Sequence, residues 1–317
     1  MMAVLCGAAS VAGCAAGAAQ PRYPDKPIRL IIPFGAGGIT DVAGRLVGQY
    51  LGEALSQQIV IENRPGAGGA IAAQALSAAK PDGYTLLLQY SGYQVITPAV
   101  VKNLGWDPIK DFAPVANILS APQVVVVNPS LPVKSLADLV AYAKANPGKV
   151  TYASPGAGSS LHLGMEQIAS RAGVQFTHVP FKGGAETNAA VLGGHTMLQA
   201  DSTGWRSLVD SGKLRLLVLW TEKRSKFWPD VPTLRDVGVD LVFDSPWGIA
   251  GPKGMDPAVV KRIDQAFKKA LDDPKVKDVL DSFVFPVRYA DQAGYLKIVE
   301  EVTKNEKEGL AKIGLAK

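Results

Sequence analysis

Three glycines within four residues, Gly35, Gly37 and Gly38, stand between a short β-branched run and an amphipathic pattern that restarts at Ile39. In a strand, glycine loop and helix start of this kind, the freed backbone N–H groups face outward at the positive end of a helix dipole. That arrangement can hold an anion. Glycine also lets a ligand approach the main chain closely. Phe34 and Ala36 complete the loop, and Thr40 adds a hydroxyl donor. Asp41 would repel an anion held directly, so it reads as a brace for the loop. The spacing is not G-x-G-x-x-G, and no G-x-x-x-x-G-K-[ST] run occurs, so nucleotide binding finds no support. A tight strand-to-helix turn that binds nothing stands beside the anion-site reading from this loop alone.

A second loop repeats the logic in the other half of the chain. Ser154, Pro155, Gly156, Gly158 and Ser159 lead into another helical pattern, with hydroxyls at Ser154, Ser159 and Ser160. Two such loops with no catalytic groups between them suit a clamp on an anion with two charges. His162 lies one turn into that helix, where it either touches a ligand or packs among its neighbours. Asp201 follows a strand-like run, where α/β folds place functional groups, although a capping role is the plainer reading. Lys182 offers one positive charge or a solvated surface chain. Trp247 lies in a segment that returns between halves, where lining a cleft and filling the core are both open.

Catalysis finds little support. The three histidines, His162, His178 and His195, fall in no zinc-type spacing. Ser159 and Ser160 sit in no G-x-S-x-G elbow. Both cysteines, Cys6 and Cys14, lie within the first twenty residues, which leaves no thiol chemistry for the rest of the chain. No enzyme activity, metal site or cofactor is expected.

The elements that would position these residues follow from periodicity. A strand over 28–32 precedes a helix with Val42, Leu46, Tyr50, Leu51 and Leu55 as its sheet-facing stripe. A strand at 59–61 runs into a second glycine turn, 66–69, and an Ala-rich helix, 70–79. A third strand spans 84–88. Residues 92–121, punctuated by Pro98, Pro108 and Pro114, read as irregular. Val124–Val127 is a doubly buried strand, and 136–145 a helix ending at Asn146-Pro-Gly148. Then strand, loop and helix recur over 150–171, with further strands at 176–179, 196–200 and 214–219 and a helix at 186–192. Ser245 to Pro252 reads as a returning strand, and the C-terminus is helical. The alternation implies βαβ units and mainly parallel pairing, in two α/β domains joined by crossover strands.

With 317 residues, 47% of them hydrophobic, the chain can bury two cores. Thirty-three basic against 28 acidic residues give a formal charge of +5 without like-charge blocks, a mild bias toward anionic ligands rather than a nucleic-acid footprint. The first twenty residues carry no charged side chain and are too rich in small residues for a membrane anchor. They read as an export signal without its basic region, as from a start placed too far downstream. Ala16-Gly17-Ala18 offers a cleavage site. Val11-Ala12-Gly13-Cys14 resembles a lipobox, so soluble export and lipid anchoring through Cys14 both stand.

The ordered motifs Tyr23-Pro-x-Lys-Pro-Ile-Arg, Pro33-Phe-x-Ala-Gly-Gly-x-x-Asp41, Glu62-Asn-Arg-Pro-Gly-Ala-Gly-Gly69 and Pro81-Asp-Gly-Tyr-Thr-Leu86 resemble the extracytoplasmic solute receptors of tripartite tricarboxylate transporters, the Bug or TctC family. The likeness continues through Tyr152-Ala-Ser-Pro-Gly-x-Gly-Ser159, Val179-Pro-Phe-Lys-Gly-Gly-Ala185, Ser211-Gly-Lys-Leu-Arg215 and Pro229-Asp-Val-Pro-Thr233. It implies a periplasmic-binding-protein fold, type II-like, with two α/β domains on central mixed sheets and a ligand cleft between them. The domains would be 22–122 with 243–317, and 123–242, after an export signal over 1–20. The resemblance implies a monomeric periplasmic receptor that binds a small organic carboxylate and passes it transiently to membrane permease subunits. A sensor handing its closed form to a signalling partner is the alternative. The 34–41 and 154–160 loops would be pincers on one carboxylate, working through backbone groups and bridging waters. Distal contacts would come from Ser91, Gly92, Tyr93, Asp201 and Trp247. The chain departs from the family pattern at Phe34-Gly35, where a second proline is common, and at Gln199-Ala200-Asp201, where Phe-Asp is.

Overall fold

The computed structural model describes residues 23–89, 104–107, 110–202 and 204–312. The leader with Cys6 and Cys14, and the candidate residues Ser91, Gly92 and Tyr93, lie outside the described residues.

The first lobe opens with β1 (Ile28–Ile32), α1 (Ile39–Leu55), β2 (Ile59–Asn63), α2 (Ala70–Ser77), β3 (Thr85–Gln89) and β4 (Phe112–Pro122). The chain then enters a second lobe built from β5 (Val124–Val127), α3 (Leu136–Ala145), β6 (Thr151–Ser154), α4 (Ser160–Ala172), β7 (Thr177–Pro180), α5 (Gly184–Leu192), β8 (Leu198–Asp201), α6 (Arg206–Asp210) and β9 (Arg215–Leu219). It returns on β10 (Asp244–Pro252) and closes with α7 (Pro257–Asp272), α8 (Pro274–Ser282), β11 (Val287–Ala290) and α9 (Gln292–Lys312).

Each lobe is a mixed sheet covered by helices. The six-stranded sheet has the order β11-β4-β10-β3-β1-β2 and the five-stranded sheet β7-β6-β8-β5-β9. Pairing is parallel within the βαβ units, β2-β1-β3 and β7-β6-β8. It is antiparallel wherever a crossover or C-terminal strand joins. The expectation of mainly parallel pairing is therefore corrected, because β10 lies between β3 and β4 and reverses the direction at the centre of its sheet.

The segment read as irregular contains β4, an eleven-residue strand. Prolines concealed it. Pro114 has no N–H for a ladder, and it sits beside Ala250, next to a register shift between Ile249 and Ala250. A slipped register is where a sheet tolerates proline.

Helix α1 also packs differently from its predicted stripe. Leu51 and Leu55 are buried, but the rest of the inner face is Ala43, Gly44, Val47 and Gly48, while Val42, Leu46 and Tyr50 are only partly covered. A Cβ on Gly44 would lie 2.3 Å from Ile32 Cδ1, and one on Gly48 3.0 Å from Ile61 Cδ1. Glycines four apart place both on one helix face and bring the axis close to the sheet. This holds the N-terminus of α1 over the end of β1.

A comparable contact in the second lobe gives a stability prediction. Gly164 in α4 faces the fully buried Trp220, and a Cβ there would come within 2.2 Å of the ring carbon Cζ3. Alanine in place of a helical glycine gains roughly 1 kcal/mol of propensity. Forcing a methyl into a filled core costs about 1–3 kcal/mol, and at this distance the clash wins. Gly164→Ala is expected to lower the urea midpoint by the equivalent of up to about 2 kcal/mol at unchanged m. A raised midpoint would contradict this packing.

Candidate functional site

The 34–38 loop is fixed from beneath. Asp41 is buried, and its carboxylate accepts from the N–H of Gly37 at 2.9 Å, from Arg45 Nε at 3.0 Å and from Asn63 Nδ2 at 2.9 Å. The same Asn63 nitrogen donates to the carbonyl of Phe34 at 3.0 Å. Burial by itself would raise the Asp41 pKa, but the bonds from Arg45, Gly37 and Asn63 prevail and hold it below the usual carboxylate range. Asp41 thus braces the loop. Gly37, at φ 79°, takes the left-handed turn that lets its N–H reach back to that carboxylate.

The 154–160 loop is fixed in a different way. Ser154 Oγ lies 3.2 Å from the carbonyl of Gly156 and 2.7 Å from His178 Nε2. The N–H of Gly158 donates to His162 Nδ1 at 3.2 Å, and Ser159 Oγ caps α4 by accepting from the N–H of His162. His162 stacks on His178 with ring centroids 4.1 Å apart, and His178 stacks in turn on Tyr152. His162 therefore shapes the loop from behind.

The two lobes meet across these loops. Gly35 N–H donates to the carbonyl of Lys182 at 3.1 Å, while the Lys182 side chain is exposed. Positions where a Cβ would crowd the opposite lobe include Gly38, 3.4 Å from Gly184 N, and Gly183, 3.3 Å from Gly35 N. Gly68, at φ 59°, would press a Cβ to 2.8 Å from Ala157 O. The second glycine turn is thus a third contact between lobes. It was legible only as a Gly66-Ala-Gly-Gly69 cluster, without its partner.

Between the lobes lies a cavity of about 30 Å³, room for roughly two waters. Phe34, Ile39 and Thr40 line it from the start of α1; Pro155, Ser159, Ser160 and Leu161 from the start of α4; and Gly184 from the start of α5. Gln123, Ser245 and Trp247 line it from the crossover strands, and Asp201 and Ser202 from the end of β8. Of the predicted residues, Phe34, Thr40, Pro155, Ser159, Asp201 and Trp247 therefore reach the cavity. Gly35, Gly37, Gly38, Asp41, Ser154, Gly156, Gly158, His162 and Lys182 shape or join the loops around it, and Ala36 is exposed. Sequence reasoning missed Gln123 and Ser245, which become neighbours only through the crossover.

Three helix N-termini converge here, and neither α1 nor α5 has a side chain capping its first turn. Their open amides and aligned dipoles favour negative charge. Among the described residues, no Lys, Arg or His lines the cavity. Asp201 is buried, accepting from Ser202 N–H at 2.8 Å and Thr187 Oγ1 at 3.0 Å. Burial pushes its pKa up, and those two bonds, with a third from the Ser202 side chain, offset this only in part. Trp247 donates from Nε1 to Ser245 Oγ at 3.2 Å and packs on Phe285.

A larger groove of about 600 Å³ lies behind β10, where Pro246 lines it while Ser245 and Trp247 face the cavity between the lobes. Side chains alternate along a strand, so the groove is on the opposite side of the hinge. Its Arg235 is already paired with Asp240 and Glu222. The smaller cavity, with its converging helix ends, is the candidate site. Among the described residues, no cluster of His, Cys, Asp or Glu is placed to hold a metal, and no helix is long and apolar enough to cross a membrane.

Residues 43–315 match the family described as tripartite tricarboxylate transporter family receptor. A UPF0065 protein from the gbd 5' region of Cupriavidus necator is 42% identical over 314 residues, 98% of this chain and 94% of that protein. A solved structure described as a periplasmic transporter superposes with TM-score 0.90 at 36% identity, over 93% of this chain and 99% of its own. R. palustris Rpa4515 with adipate superposes with TM-score 0.89 at 29% identity, again over 93% and 99%.

Proposed function

We propose, from the premise that this chain belongs to the tripartite tricarboxylate transporter receptor family, that it is an exported periplasmic receptor which closes on a small organic mono- or dicarboxylate and presents it to membrane permease subunits. The observation that carries the reading is the convergence of α1, α4 and α5 N-termini, drawn from both lobes, on one cavity that no cationic side chain lines among the described residues. Such a site reads a carboxylate through backbone N–H groups. The adipate held by the R. palustris relative is a ligand of that class.

The lobes are taken as 22–122 with 243–317, and 123–242, working as a monomer. Ligand touching both lobes favours the closed form by its differential affinity for that form. The 34–38 and 154–160 loops supply the carboxylate contacts. Asp201 and Trp247, with Ser91 and Gly92 of the first lobe, supply the contacts to the rest of the ligand.

Thermal melting against a broad panel of small organic acids tests this. A ligand at 100 times its Kd stabilises by about 2.7 kcal/mol through mass action, a shift of several degrees. No shift with any carboxylate, and no calorimetric heat, would defeat the reading.

A further inference from the structure

Resting on that reading, we infer that the ligand is a carboxylate that also carries a protonated amine, its ammonium group placed against Asp201 and Gln123. Two buried acceptors point to this. Gln123 is 2% exposed, lines the cavity and donates its Nε2 to Ser160 Oγ at 2.8 Å. Its Oε1 is buried without a hydrogen-bond partner. A buried amide oxygen left unpaired in a cleft is a place for a donor that the protein does not provide. Asp201 is 2% exposed in the same cavity. The Ser202 N–H and Thr187 Oγ1 each bond one oxygen and the Ser202 side chain adds a third bond, which still leaves a lone pair free to accept.

Charge balance sets a bare dianion apart from a monoanion or an amine-bearing acid, and the donor count then favours the amine. Three helix N-termini contribute about +0.5 each, roughly +1.5 in total, against −1 for an ionised Asp201. A dianion would leave the closed site with a net negative charge and, among the described residues, no side-chain cation to offset it. An acid whose carboxylate lies on the helix ends and whose ammonium faces Asp201 leaves it near neutral. Two acceptors also require more than one donor hydrogen. A hydroxyl has one and an ammonium three, each charge-assisted. The ammonium further compensates a carboxylate that burial alone pushes toward protonation.

The test is isothermal titration calorimetry at neutral pH with matched acids that differ in one substituent: aspartate, malate and succinate; glutamate, 2-hydroxyglutarate and glutarate; alanine, lactate and propionate. In at least one series the amine-bearing member is expected to bind about tenfold or more tighter than its partners. Asp201→Asn is expected to weaken that member about 100-fold and to reverse the preference toward the unsubstituted acid. A merely structural role for Asp201 would weaken all three alike. If hydroxy or unsubstituted acids bind the wild type as tightly as the amine-bearing ones, the inference falls while the carboxylate-receptor reading stands. If no member of any series binds, the inference falls, and the broad panel of organic acids decides the carboxylate-receptor reading separately. An amine preference that persists in Asp201→Asn overturns the assignment to Asp201. Should that variant not fold, the wild-type series alone decides whether an amine is read.

Discussion

Replacing Gly38 by leucine is expected to leave both lobes folded and to weaken ligand binding by about 5- to 150-fold. Gly38 has φ −78° and ψ 166°, backbone angles open to any L-residue, so the substitution brings no strain within its own lobe. Its Cβ would stand 3.4 Å from Gly184 N and 3.5 Å from Ala185 N, both across the cleft. The Cβ alone is tolerable, but the leucine branches then meet the first turn of α5. Overpacking of this kind costs about 1–3 kcal/mol, and here it falls on the closed form alone because the opposing atoms separate on opening. With 1.4 kcal/mol per tenfold in affinity, the stated range follows. Leucine is also a poorer N-cap than glycine, which lowers the unliganded stability by about 1 kcal/mol or less. The ligand-induced shift should therefore shrink far more than the baseline. Val60→Leu, at an exposed position of β2 outside the cavity lining, serves as the control. Wild-type affinity in Gly38→Leu would mean that the 38–184 contact does not form in the liganded state.

The same contact shows what the amino-acid sequence could and could not disclose. Both strand–glycine–helix units were legible because they rest on local chemistry, a β-branched run, glycine and then an amphipathic period. The brace at Asp41 was legible too, from charge alone. What escaped were relations between distant residues. Gly38 facing Gly184, and Gly68 facing Ala157, are meetings of two loops far apart in the chain. Gln123 and Ser245 looked like ordinary strand-end residues until the crossover strands set them side by side on the cavity wall. β4 was hidden because a proline inside a strand reads as a break unless the partner's register is known to slip beside it. His162 stood open between touching a ligand and packing among its neighbours; the ring it stacks on, His178, lies on a strand that no local pattern connects to it.

That histidine pair leads to a pH dependence. Acidification from pH 6.5 to about 4 is expected to destabilise the protein, with His178 setting the lower limit. Burial lowers the His178 pKa first, and the adjacent His162 lowers it further, to about 4. Burial likewise lowers His162, opposed by the negative charge of Glu166. Glu166 also accepts from the hydroxyl of Tyr152 at 2.8 Å, so the stack has one carboxylate and two rings that resist protonation. For each imidazole the folded state binds fewer protons than the unfolded chain. Stability is therefore complete above the unfolded value near 6.5 and is lost as pH falls toward the folded value. His178 is partly exposed, so solvent screens the effect and the loss should be ~1–2 kcal/mol rather than the full conversion of its shift. Protonating His162 at Nδ1 would also remove the acceptor for Gly158 N–H and so release the 156–158 turn that faces Gly68. Binding should weaken over the same interval. His178→Phe keeps a ring in the stack without a titrating nitrogen, and its melting temperature should fall less between pH 6.5 and 4 than that of the wild type. Parallel pH curves for the two proteins would show that the stack does not carry the acid sensitivity.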